Sequence, residues 1–155
     1  MRRSTAALLV ALVLAACGGG GSGTPLTTSQ LVARVNTECN RLQRAGADLV
    51  NAQNASATGA TVGRYLHRAA SELRTRSQAI DALNAPGSLA SQVHRFTGLL
   101  GQYADGLDAL ADRIKPGEGY SDLLNRSASA VDALNRLSDQ ANRMAVSLNF
   151  TSCGT

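Results

Sequence analysis

Between Leu89 and Ile114 the apolar residues Leu89, Val93, Phe96, Leu100, Tyr103, Leu107, Leu110 and Ile114 succeed one another at alternating intervals of four and three. That is the spacing of a heptad seam along one side of a helix. A second seam runs through Val62, Leu66, Ala69, Leu73, Ile80 and Leu83, interrupted where Arg76 occupies a seam position. Leu31, Val35, Cys39, Leu42 and Leu49 form a third, and Tyr120, Leu124, Val131, Leu134, Ala141 and Leu148 a fourth. Turn-forming stretches separate the four segments: "NASATGA" at Asn54 to Ala60, "APGS" at Ala85 to Ser88 and "KPGEGY" at Lys115 to Tyr120. Pro86 and Pro116 mark helix ends, and Thr61 and Ser88 are the expected N-caps. No stretch reads as a strand. The pattern predicts an all-α fold, four amphipathic helices joined by short loops in an up-down-up-down four-helix bundle.

The chain before these segments has a different character. Arg2 and Arg3 precede an apolar run from Ala6 to Ala16, eleven residues long, against the roughly 20 needed to span a bilayer. This is the layout of a secretory signal. The run ends in "LAAC", Leu14 to Cys17, which resembles the lipobox of bacterial lipoprotein precursors. The resemblance implies cleavage before Cys17 and a lipid on its sulfur, anchoring the protein to the extracytoplasmic face of the cell membrane. "GGGGSGTPLTTS", Gly18 to Ser29, has little that can pack and reads as a flexible tether. The expected organisation is a signal peptide over 1–16, lipidated Cys17 and tether over 17–29, and one bundle domain with a short tail over 30–155.

Removing Arg2 and Arg3 with the signal lowers the net charge from +4 to +2, and no basic block studded with aromatic residues occurs. A nucleic-acid partner is not expected. His67 and His94 are the two histidines, and pairing the second and third segments about Pro86 separates them by roughly 16 Å along the helices. His67 comes level with Asp105 and Asp108, a donor set that transition metals accept. All three lie on outward positions, so a solvated surface is the preferred reading and no metal is expected. Glycine-rich phosphate loops, HExxH, CxxC and GxSxG are absent; the chain reads as a binding protein with no cofactor and no catalytic residues, not an enzyme.

Arg64, Arg68, Glu72 and Arg76 recur every four residues, which favours intrahelical ion pairing. Arg76 is expected to snorkel to the edge or to meet Ser127 or Ser138 inside the bundle, and to limit stability by interrupting the seam. Gly98, Gly101 and Gly106 interrupt the best helix, each at a cost of about 1 kcal/mol relative to alanine. Gly98 and Gly101 fall on its outward side and, with Arg64 and Arg68, make the candidate interaction face.

Arginine outnumbers lysine 14 to 1, a bias typical of GC-rich bacterial genomes. "NTECNRLQ" in the first segment and "NFTSCGT" at the chain's end resemble a group of small actinobacterial secreted proteins and lipoproteins. These are helical domains with one cysteine in the first helix and another in a Cys-Gly tail, and the resemblance brings no activity with it. Once Cys17 is lipidated, Cys39 and Cys153 are left with one intramolecular pairing, in a compartment that permits disulfides. The tail from Asn149 must then turn back along the bundle, with Phe150 packing as it turns. The functional expectation is a membrane-anchored module that binds an envelope protein or cell-wall component. The alternative is a carrier of a small apolar molecule, held where Ala69, Ser127, Ser138 and Ala141 leave room.

Overall fold

In the computed structural model the described residues are 23–53 and 59–154. The signal segment and Cys17 lie outside them, as does most of the turn at Asn54 to Ala60. All the regular structure among the described residues is helical: α1 (Thr28–Gln53), α2 (Ala60–Asp81), α3 (Gly87–Ala111), α4 (Tyr120–Arg126) and α5 (Ala128–Ser147). None of these helices is long and apolar enough to cross a membrane.

The seams read from the sequence form the core. Leu31, Val35 and Cys39 from α1, Val62, Leu66, Leu73 and Ile80 from α2, and Val93, Phe96, Leu100, Leu107 and Leu110 from α3 are all buried. Leu49 and Tyr120, also expected on seams, have side chains outside the described set. Helix α2 packs on α1 and α3, α3 on α5, and α4 on α5. Contacts between α2 and α3 join Ser77 to Thr97 and His67 to Asp108, so the two helices run in opposite directions. Among the described residues, α1 and α5 do not pack closely on one another.

Three local expectations are corrected. The fourth segment is two helices, broken at Ser127, whose φ of −111° and ψ of 25° leave the helical region. Serine is a poor helix former, and this one is buried at a seam position with no partner for its hydroxyl, so it adds little to hold the helix straight. Before the break Leu123, instead of Leu124, is fully buried. Thr61 and Ser88 are not N-caps: Gly59 and Pro86 hold those positions, without side-chain cap bonds. Residues 23–29, assigned to the tether, belong largely to the domain. Thr27 and Gln30 form a reciprocal capping box at the start of α1. Leu26 packs on the core and donates its N–H to Asn84 O, while the Asn84 amide donates to Gly23 O. The chain is thereby fastened to the α2–α3 turn.

At the opposite end Gly59, with φ of 46°, donates to Glu118 O at 2.7 Å. A Cβ there would meet Gly117 N at 3.0 Å, and the left-handed φ itself favours glycine. Glu118 also accepts bonds from Arg126 and from Lys115 N–H. The α3–α4 loop is held on both sides.

Candidate functional site

The tail behaves as the cysteine spacing requires. Asn149 takes a left-handed φ of 60°, a conformation asparagine tolerates, and Phe150 N–H then bonds to Ala145 O. Phe150 is fully buried with its ring 5.6 Å from that of Phe96. Beyond it Ser152 N–H donates to Asn36 Oδ1, and Gln43 donates to Ser152 O. Cys153 is bonded to Cys39 across 114 residues of sequence, with the Cα atoms 5.1 Å apart. Because α1 and α5 lack close packing of their own, this bonded tail bridges one side of the molecule.

Under the bridge lies a small cleft of about 200 Å³, walled by Leu73, Phe96, Leu100, Ala141 and the disulfide, with Ser138 at its edge. A larger, open groove of about 680 Å³ runs between α3 and α5. His94, Arg95, Gly98 and Leu99 line its α3 wall; Arg143 and Met144 stand on the α5 wall. Leu99 and Met144 are partly buried against the core and supply apolar surface. No carboxylate lines this groove. His94 is engaged with Asp81 at 3.0 Å. The neighbouring ring holds the Asp81 carboxyl below its usual value, against desolvation, with a further bond from the Thr97 hydroxyl.

The candidate interaction face is divided. Gly98 lies in the α3–α5 groove, and a Cβ at Gly98 or Gly101 would enter open space. Arg64 bonds to Thr61 Oγ1, and Arg68 is exposed. With Ser77 beside Thr97, Gly98 and Arg64 stand roughly 20 Å apart along the helix pair. The glycine that admits a neighbouring helix is Gly106, where a Cβ would meet Leu134 Cδ2 at 2.6 Å.

His67 does come beside Asp108, with Nδ1 2.7 Å from Oδ1, and its Nε2 lies 3.5 Å from Asp112. Asp105 instead pairs with Arg74, which also bridges to Asp108. Desolvation pushes the Asp108 carboxyl up, but the bonds from His67 and Arg74 outweigh it and hold the group below its usual range. With a guanidinium between the acids, the cluster is an interhelical ion network. No group of side chains suited to a metal occurs among the described residues. Sequence reasoning missed Arg74, although its place two helical turns from His67, on the same face, was a usable signal.

Arg76 meets neither Ser127 nor Ser138. Its guanidinium lies 3.3 Å from Glu38 of α1 and 3.3 Å from Glu72 of its own helix, while Nε is buried without a partner. Glu38 also pairs with Arg41 at 2.6 Å.

Compared with known proteins, the chain matches no family model, no curated protein sequence and no solved structure.

Proposed function

We propose that this protein is a lipid-anchored extracytoplasmic lipoprotein that acts by binding an envelope component, without catalysis. The lipobox resemblance at Leu14 to Cys17 supports the address. In this reading α1, α2, α3 and the α4–α5 pair are the four columns of an up-down-up-down bundle, and the Cys39–Cys153 bond closes it where α1 faces α5. The observation that carries the binding reading is the α3–α5 groove, whose volume of about 680 Å³ lies within the roughly 300–1,000 Å³ typical of ligand sites. Photocrosslinking in cells from position 102, on the groove's α3 wall, tests it. A discrete crosslinked species that disappears when the groove is filled by Gly98→Leu is the expected outcome; no groove-dependent species contradicts the reading.

A second reading, a carrier of a small apolar molecule, rests on the cleft beneath the disulfide. At about 200 Å³ it takes only a small group unless α1 moves outward. Native mass spectrometry of the chain from residue 17, carrying Cys17→Ser, separates the two: a retained small molecule favours the carrier.

A further inference from the structure

We propose that the groove between α3 and α5 docks the headgroup of an anionic phospholipid from the membrane that carries the anchor. The inference deepens the binding reading and rests on it, including the lipid anchor at Cys17. Arg95 and Arg143 stand on opposite walls of the groove, and neither has a hydrogen bond or ion pair to another described residue. With no carboxylate in the lining, the groove presents two uncompensated guanidiniums above the apolar surface of Leu99 and Met144. Guanidinium groups match phosphate oxygens in geometry as well as charge, and the apolar floor suits the glycerol and upper acyl region of an amphiphile. His94 is occupied by Asp81 and is not counted among the donors.

Position supplies the second argument. Gly23 is held at Asn84, and Asp81, which pairs with His94 at one end of the groove, precedes Asn84 by only three residues. Six residues carry the chain from Cys17 to Gly23, a reach of at most roughly 20 Å. A lipid on Cys17 therefore keeps this end of the molecule beside the bilayer surface, where anionic headgroups are concentrated and each nearby arginine adds to the attraction. A soluble acidic partner gains nothing from that placement.

The test uses the chain from residue 17 with Cys17→Ser, so that no acyl chain contributes, and sedimentation with vesicles of phosphatidylglycerol and phosphatidylcholine against vesicles of phosphatidylcholine alone. Binding to the anionic vesicles is expected, weakened about tenfold or more by Arg95→Gln with Arg143→Gln. Gly98→Leu, which leaves every charge in place and meets no atom within 4 Å at its Cβ, is expected to weaken it comparably by filling the groove. Arg64→Gln with Arg68→Gln removes equal charge elsewhere and is expected to leave binding unchanged. Thermal melts of each variant verify the fold. Absence of vesicle binding in the parent chain overturns the proposal, as does retention of binding in Gly98→Leu or equal loss in the Arg64 and Arg68 variant, which marks diffuse attraction. A parent chain that ignores vesicles but crosslinks through the groove to a protein also overturns it. Membrane fractionation of the acylated protein is read separately, so failure here leaves the anchor to its own test.

Discussion

At the scale of single residues, the gap between sequence and structure is a matter of partners. Periodicity identified Arg76 as an intruder in an apolar seam, and the four-residue spacing offered Glu72 as its intrahelical partner; Glu38 was not legible, because it belongs to another helix whose rotation the seam gives only coarsely. The contacts at 3.3 Å are long, Glu38 keeps Arg41, and the buried Nε is unpaired. Replacing Arg76 by Leu relieves that buried donor and extends the core, so the variant is expected to be about 1 kcal/mol more stable. A lower urea midpoint for the Leu variant would show the bridge between α1 and α2 to be needed. Glu118 gives a pH signature. Bonds from Arg126 and from the Lys115 N–H lower its pKa from the ordinary 4.5 to about 2. Because the folded value is depressed, its contribution is present above 4.5 and is lost as pH falls toward 2. Stability measured by urea titration should therefore decline across that window, and less steeply in Glu118→Gln, with Asp81 and Asp108 contributing to the remaining slope.

At the scale of elements, the heptad seams located α2 and α3 almost completely, since both bury a continuous stripe against two neighbours. They erred where a helix end depends on local chemistry. The Thr27 and Gln30 box was hidden inside a stretch dominated by glycine, serine and threonine, and the break at Ser127, whose hydroxyl is buried and unpaired, is a feature that no periodicity reports. Glycine positions within α3 separate packing from tolerance. Gly106→Ala places a methyl 2.6 Å from Leu134 Cδ2, a side-chain end that must turn aside, and that repacking is expected to cancel the gain in helix propensity. Gly98→Ala enters open space and is expected to stabilise by about 0.5–1 kcal/mol through helix propensity. Thermal unfolding should show a clear gain for Gly98→Ala and none for Gly106→Ala. Equal shifts would refute the assignment of Gly106 as the point of close approach.

At the scale of the whole molecule, helix α1 packs closely on α2, is fastened at its start to the α2–α3 turn, and is secured on its α5 side by the tail, so the disulfide determines whether the α1–α5 side stays closed. The pairing itself was legible from elimination and compartment, whereas the divided interaction face was not, because outward positions in sequence do not say which helices share a groove. Replacing Cys39 and Cys153 together by Ser is expected to lower stability by about 4 kcal/mol in the chain-entropy model, given the 114-residue separation. Hydrogen exchange should accelerate most in α1; uniform acceleration would mean that the tail does not act as its clasp. The account depends above all on the proposed lipid anchor at Cys17, because a domain held at the bilayer meets partners that a released one does not. The most direct measurement compares membrane fractions of cells making the parent protein and Cys17→Ser, after an alkaline wash that strips peripheral proteins. The account predicts that the parent pellets with membranes and the variant moves to the soluble or secreted fraction; a variant that stays in the washed membranes would contradict it.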